Sequence, residues 1–178
     1  MTAPALAITD PFSIIEDAIW NALVSYAPLA ALVKPGNRIA LTGTKVNPIE
    51  RSSGAGDFPE LHLWPSGANL RGGQSVPRTA DMRFWYQRYS VGVVTAHPRT
   101  NTPESLNVLK WHVYRALIRA ESTLVAPSIP FCNSIELGDF QDQLQDVNAA
   151  AVERKIRGWK GLMDLEARLQ WSLAELRQ

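Results

Sequence analysis

The sequence has a single cysteine, Cys132, among its 178 residues. One cysteine excludes an intrachain disulfide and a cysteine-rich metal site, and the apolar neighbours Ile129 and Phe131 favour a small buried side chain. No apolar run approaches the ~18 residues that a membrane-spanning helix needs. The N-terminal residues lack the positive segment of a signal peptide, so we predict none, and a reducing or intracellular site of synthesis.

An excess of charge of one sign is also missing. The chain carries 18 Lys and Arg against 17 Asp and Glu, a net charge of +1, which gives no overall attraction to nucleic acid or to anionic membranes. Apolar residues make up 46% of the chain and charged residues 20%, as in an ordinary globular protein with a real core. Because no repeat or boundary is visible, we predict a single domain over residues 1–178.

Residues arranged for catalysis or metal binding are absent from the sequence pattern as well. The chain has three histidines: His62, His97 and His112. They lie 35 and 15 residues apart along the chain, with no closely spaced pair of the kind that builds a zinc site. Four carboxylates lie close together: Glu136, Asp139, Asp142 and Asp146. Their glutamine-rich surroundings favour a solvated edge or loop over acid–base chemistry. No nucleophile, base and orienting group can be assembled, so we predict neither an enzyme nor a cofactor.

The clearest pattern is an alternation over residues 157–173. Apolar residues take the odd positions: Trp159, Met163, Leu165, Ala167, Leu169, Trp171 and Leu173. Polar residues take the even positions Lys160, Asp164, Glu166, Arg168, Gln170 and Ser172. Leu162 is the one exception. Since successive side chains of a strand point to opposite faces, this predicts a long strand with one dry face and one wet face. The wet face carries both charge signs, which suits solvent or a polar partner such as a second subunit.

Two helices are predicted from apolar residues spaced three and four apart. The first begins with Asp10 as N-cap and Pro11 at its first position, and Pro28 ends or kinks it. The second begins with Thr102 as cap and Pro103. Their apolar stripes are Ile15, Ala18, Ile19, Ala22, Leu23 and Tyr26, and Leu106, Leu109, Val113, Ala116, Leu117 and Ala120.

Four further strands are predicted, at 38–41, 58–64, 80–96 and 133–144. We expect Pro59 and Pro65 to lie at the ends of the second of these, and the third to have a bulge or burial on both faces for part of its length. A short turn is predicted at 29–33, and the glycine-rich stretches 42–57 and 66–79 are predicted to be loops. The order of elements predicts an α+β fold, with a mostly antiparallel sheet and two helices packed on one face.

Arginine and aromatic residues concentrate on one predicted loop and the strand after it. Such a mixture could bind a nucleic-acid backbone, but both residue types are also enriched at the centres of protein interfaces. The near-zero net charge favours the interface. The residues predicted to contact a second subunit or a partner, including those of the wet face, are Arg71, Arg78, Arg83, Trp85, Arg88, Lys160, Glu166 and Arg168.

The order of the motifs along nearly the whole chain points to a family. The first helix is followed by Asn37-Arg38-Ile39, a loop, and the segment 57–63, which contains Phe58-Pro59. A long strand then precedes a helix that ends at 113–117, and the chain closes on 157–159 and the alternating strand. This arrangement resembles the tail terminator, or tail completion, proteins of long-tailed bacteriophages, and the related minor tail and head–tail joining proteins.

The resemblance implies a structural virion protein that forms a homohexameric ring at the head-proximal end of a tail tube, terminates its polymerisation and provides the joining surface for the head or neck. The implied partners are other copies of the chain, the tail tube protein and a head-completion or neck protein, with no membrane. DNA would pass through the lumen without sequence-specific binding. The implied location is the virion tail or neck, and the host cytoplasm during assembly. The resemblance implies no catalytic residues.

Elementary physics is compatible with such a ring. A head-to-tail interface generates a closed ring when its rotation closes. A lumen that lets DNA slide should not be strongly basic, since phosphate contacts would hold the DNA. Two alternatives remain open: another head–tail connector, neck adaptor or tube-like protein, and a small nucleic-acid-binding or regulatory α+β domain. A stable dimer in solution would count against the ring, and salt-dependent binding to short DNA would favour the nucleic-acid-binding domain.

Overall fold

The computed structural model describes residues 11–40, 58–69, 82–95, 105–147 and 156–172. Three helices and five strands lie in this part of the chain. Their order is α1 (Pro11–Ser25), α2 (Ala27–Leu32), β1 (Arg38–Ala40), β2 (Glu60–Asn69), β3 (Met82–Thr95), α3 (Leu106–Leu124), β4 (Cys132–Val147) and β5 (Ile156–Ser172). A 3-10 turn over Pro35–Asn37 leads into β1. Side chains are not described at 68–69, 82–83, 143–147, 156–159 and 171–172.

The five strands form one sheet in the order β1-β2-β3-β5-β4. Three neighbouring pairs are antiparallel, whereas β1 runs parallel to β2, from Arg38 opposite Leu61 to Ala40 opposite Leu63. The α+β class is therefore confirmed, and the sheet is mixed. A parallel pair needs a crossover of about a dozen residues or more, and the sequence between β1 and β2 is long enough to supply it.

The helical layer holds one helix more than the two predicted. Residues predicted as a turn at 29–33 instead belong mostly to α2, whose N-cap residue is Tyr26. Pro28 ends α1 as predicted and lies in the first turn of α2, where a missing backbone N–H leaves no hydrogen bond unmade. The N-cap residue of α3 is Ser105, not the predicted Thr102. Asp10, Thr102 and Pro103 lie outside the described residues.

The core lies between the helices and one face of the sheet. Ile15, Ile19 and Leu23 of α1 are fully buried against strand residues such as Leu61 and Val91. The predicted dry face of the last strand is confirmed, because its described odd-numbered apolar side chains are 0% exposed: Met163, Leu165, Ala167 and Leu169. We call the side of the sheet that faces away from the helices the open face.

The boundaries of β2 differ from the prediction. The strand continues to Asn69, so Pro65 lies inside it and the first residues of the predicted loop 66–79 are strand. A register shift between Pro65 and Gly67 marks a β-bulge, which is one of the few positions in a sheet that tolerates a residue without a backbone donor. The rest of that loop, and the whole of the predicted loop 42–57, lie outside the described residues.

The predicted strands at 80–96 and 133–144 are both present. The second half of β3 is buried on both faces, as predicted, since both Val93 and Val94 are at most 6% exposed. Strand β4 is longer than predicted and carries register shifts near Ser134 and between Leu137 and Phe140. It is the last strand of the sheet, which agrees with the prediction that its carboxylates lie on a solvated edge.

Candidate interaction surfaces

The outward side of α3 is the most apolar exposed surface in the described part of the chain. Trp111 is 56% exposed, Tyr114 41% and Ile118 46%, and these are the large exposed apolar side chains there. Their spacing of three and four places them on one side of the helix. The rings of Trp111 and Tyr114 stack with 6.5 Å between centroids. A group of large apolar side chains exposed to water is typical of a surface that a partner covers.

Two arginines of α3 lie beside aromatic rings. The Arg115 guanidinium lies 5.8 Å from the centre of the Trp111 ring, and that of Arg119 lies 5.9 Å from the Tyr26 ring. Both arginines are exposed, and cation–π attraction holds them beside the rings. We define the α3 face as the side chains of Trp111, Tyr114, Arg115, Ile118 and Arg119.

His112 adds no charge to this face at neutral pH. Its ring contacts the Tyr26 ring, with 6.0 Å between centroids. Burial, together with the nearby Arg115 charge, lowers the pKa of His112 below its ordinary value of 6.5, so the imidazole is neutral at pH 7. The positive charge of the α3 face therefore comes from its arginines.

An apolar groove of about 210 Å³ runs between the C-terminal half of α3 and the edge strand β4. Tyr114 and Ile118 of the α3 face belong to its lining. The remaining lining residues are Leu117, Glu121, Leu124, Ile135 and Leu137. The α3 face and the groove are thus one continuous apolar surface that reaches the edge of the sheet.

The open face carries paired charges. The Arg88 Nε donates a hydrogen bond to the Glu166 Oε2 at 2.8 Å, and the Ser90 hydroxyl donates to Asp164. The Arg168 guanidinium lies 4.6 Å from the centre of the Phe84 ring. These contacts hold the polar side chains of β3 and β5 in place, so this face presents a fixed pattern of charge.

Negative charge accumulates where the open face meets β4. Glu136 lies directly opposite Glu166, and like charges in that position repel. Glu136, Asp139 and Asp142 are exposed along β4, and no Lys or Arg occurs in the sequence of that strand. Only Asp142 has a described cation partner, the Nζ of Lys110 at 2.8 and 2.9 Å. We define Glu136, Asp139 and Asp142 as the acidic edge.

A buried polar cluster lies at the other end of the open face. The His62 ring is hydrogen-bonded to Glu60, with 2.8 Å between Nε2 and Oε2, and these residues are 1% and 4% exposed. Lys160 is 6% exposed and its Nζ lies 5.1 Å from the centre of the Trp64 ring. Burial lowers the pKa of Lys160. Such burial suits a structural role better than contact with a ligand.

The predicted contact residues fall into three groups. Arg88, Glu166 and Arg168 lie on the open face, Glu166 and Arg168 in register with neighbouring β3 residues. Lys160 is buried, and Trp85 is half-buried on the helix side, with its ring centroid 5.5 Å from that of Phe12. The structure does not describe the side chains of the remaining three residues, Arg71, Arg78 and Arg83.

The α3 face was missing from the predicted contact residues. Its sequence signal is the position of Tyr114, Arg115 and Arg119 off the apolar stripe of the second helix. An exposed aromatic residue cannot be distinguished from a buried one by composition, because Trp and Tyr occur in both environments. Only the packing of α3 on the sheet shows which side of the helix is left uncovered.

The sequence matches no protein-family model and no curated protein. In the described ranges, no set of three or more His, Cys, Asp or Glu side chains is placed to hold a metal ion. None of the helices that the structure describes is long and apolar enough to cross a membrane. Function must therefore be inferred from the fold, its exposed surfaces and the motif order.

Proposed function

We propose that the protein is a structural subunit of a ring at the head-proximal end of a phage tail tube. There it terminates tail polymerisation and provides the surface that joins the tail to the head or neck. Its partners are further copies of itself, the tail tube protein and a neck or head-completion protein, and its location is the virion. The order of motifs and the α+β arrangement of one sheet covered by helices on one side support this proposal.

The α3 face is the single observation that carries the proposal. A chain that worked alone would gain by burying or replacing three large apolar side chains on one helix, since exposed patches of this kind promote non-specific association. Aromatic residues and arginine together are typical of the centres of protein interfaces. An assembly subunit, in contrast, needs such a surface.

The open face suits passage of DNA. Among its described cations, Lys160 is buried, and Arg88 and Arg168 are each engaged, one with Glu166 and the other with the Phe84 ring. Carboxylates beside them offer no phosphate contact. Since neutralised phosphates are what holds DNA on a protein, a surface with engaged cations and exposed carboxylates would let the duplex slide.

The test is the mass of the purified protein by light scattering, followed by electron microscopy with and without tail tubes. We expect a hexameric ring, free or assembled on one end of the tubes, and tubes of uncontrolled length when the protein is left out. Trp111→Ala should weaken assembly, whereas Asn21→Ala, at an exposed position of α1, should not. A stable dimer that does not bind tail tubes would contradict the proposal. So would tight binding to short DNA that weakens steeply with salt.

A further inference from the structure

Helix α3 and strand β4, which lie on either side of the apolar groove, carry charges of opposite sign. Helix α3 contains Lys110, Arg115 and Arg119 against the single carboxylate Glu121. Strand β4 contains four carboxylates and no cation. Lys110 and Asp142 already neutralise each other within the subunit, which leaves two arginines on the α3 face and Glu136 and Asp139 on the acidic edge without a described ion-pair partner. One chain thus carries two complementary surfaces.

We infer that the α3 face of one copy docks on the acidic edge of the next copy, and that this contact closes the ring. The inference rests on the proposed ring and names the surfaces that build it. Arg115 and Arg119 would face Glu136 and Asp139 of the neighbouring copy. Trp111, Tyr114 and Ile118 would form the dry centre of the contact.

Charge argues against a twofold contact whose axis passes through the α3 face. In a twofold dimer the same patch meets itself, so an interface centred on the α3 face would bring Arg115 and Arg119 against their own copies. Like charges placed together at an interface cost several kcal/mol. A head-to-tail contact joins two different patches and pairs opposite charges instead. Its repetition produces a closed ring when the rotation per subunit closes. A twofold contact centred on the groove would instead pair the α3 face and the acidic edge reciprocally. Light scattering would then show a dimer, and that result would overturn the inference.

The chemistry of the two surfaces also fits an interface between copies. Three large apolar side chains can form the dry centre of an interface while the charged residues around them form its rim. The groove beside Tyr114 and Ile118 extends the apolar surface toward β4. The edge strand supplies the receiving surface, and its carboxylates discourage the edge-to-edge strand pairing that an open sheet edge otherwise invites.

Charge reversal tests the inference. The first variant is Arg115→Glu with Arg119→Glu, which reverses the α3 face, and the second is Glu136→Lys with Asp139→Lys, which reverses the acidic edge. All four side chains are exposed, so both variants should keep the wild-type far-UV circular dichroism spectrum and thermal midpoint. Light scattering should show that each variant alone falls from the ring mass to the monomer mass.

Mixing the two variants provides the decisive measurement. In a 1:1 mixture, each reversed α3 face meets a reversed edge and each native face meets a native edge, so alternating copies should restore a ring. A ring of six accommodates this alternation because its number of copies is even. Neither variant should form rings with itself. The control is Lys34→Glu with Asp17→Lys, two exposed positions on neither surface, which should leave the wild-type ring mass unchanged.

The possible results separate this inference from the proposed function. If the wild type forms rings and the reversed variants do so as well, the docking surfaces are wrong and the proposed function stands. If the variants form rings but no longer bind tail tubes, the α3 face or the edge binds the tube protein, and the inference is again wrong. If the wild type stays monomeric even on tail tubes, the ring and the inference fail together. Loss of the ring in each variant with recovery in the mixture supports the inference.

Discussion

The Nζ of Lys160 lies 5.1 Å from the centre of the Trp64 ring. Gly92 lies beside both side chains and leaves room for the indole because it has no side chain of its own. A Cβ at residue 92 would lie 3.2 Å from the Trp64 ring and 3.6 Å from the Lys160 side chain. Attraction between the ammonium and the ring would stabilise the charged form. Burial acts in the opposite direction and lowers the pKa of Lys160, because it disfavours the charged form.

Replacement of Lys160 by Met should keep or raise the free energy of unfolding at pH 7, since Met fills the space of the lysine stem without a charge to desolvate. Because the folded state releases the Lys160 proton at lower pH than the unfolded state, wild-type stability should gain from that residue as the pH rises toward 10.5. The advantage of the variant should therefore shrink as the pH approaches 10. Urea denaturation at pH 7 and pH 9.5 measures both effects.

The matched control is Lys34→Met, at an exposed position before the 3-10 turn. We expect that change to alter the free energy of unfolding by less than about 0.5 kcal/mol, as is usual for surface substitutions. A Lys160→Met variant that is clearly less stable than wild type at pH 7 would show instead that the cation–π contact dominates.

Lys160 also shows what alternation in the sequence can and cannot predict. The period of two assigned residues 160–170 to their correct faces, because it follows directly from strand geometry. It also led us to expect all the polar residues of that set on an accessible wet face, and Lys160 is buried. The period of two shows on which face of the strand a residue lies. The exposure of that residue depends on which other segments of the chain cover that face.

The candidate surfaces likewise include residues whose position the sequence predicts and residues whose position it does not. The placement of Glu166 and Arg168 on the face away from the core was predictable because β5 is a long strand with a regular alternation; their role in contacts stays a prediction. The α3 face was not predicted, although the helix itself was, because its exposed aromatic residues resemble core residues in composition. The parallel pairing of β1 with β2 was not predictable either, because the sequence of a three-residue strand contains no information about its direction.

Replacement of Gly138 by Ala should destabilise the fold. A Cβ there would lie 2.8 Å from the backbone carbonyl oxygen of Asp164, and a backbone atom of the neighbouring strand cannot move aside as a side chain can. Overpacking of this kind costs about 1–3 kcal/mol. Gly36 has no atom within 4 Å of its potential Cβ, so Gly36→Ala is the control and should leave stability nearly unchanged. Equal midpoints in urea for both variants would show that the bulged part of β4 yields at little cost.

The thiol of Cys132 should be unreactive in the folded protein. It is 0% exposed, and burial raises its pKa from 9.0 to about 11, although a backbone contact at Ser134 acts in the opposite direction. The reactive thiolate is therefore scarce at pH 8. Labelling with a thiol-specific disulfide reagent should be slow in buffer and should rise with urea in parallel with unfolding. A Ser25→Cys substitution in a Cys132→Ala background, exposed on α1, should be labelled rapidly.

The same raised pKa gives a pH dependence of opposite sign to that of Lys160. Between pH 9 and 11 the unfolded thiol ionises while the folded one stays protonated, so the folded state binds more protons and its stability falls as the pH rises. Cys132→Ala should lack this contribution. Rapid labelling of the folded wild type at pH 8 would contradict the burial that underlies both expectations.

Two leucines of β5 allow a direct test of the two faces of the sheet. Leu165 is 0% exposed on the helix side, whereas Leu162 is half-buried on the open face. Leu165→Asp places an unpaired carboxylate in the core and removes a buried side chain, at a cost of about 4 kcal/mol or more. Much of the marginal stability of a domain would be lost, so the variant should be unfolded or insoluble by circular dichroism. Leu162→Asp should remain folded, with a loss of about 1 kcal/mol. Similar losses in both variants would mean that the helices do not define the core side of β5.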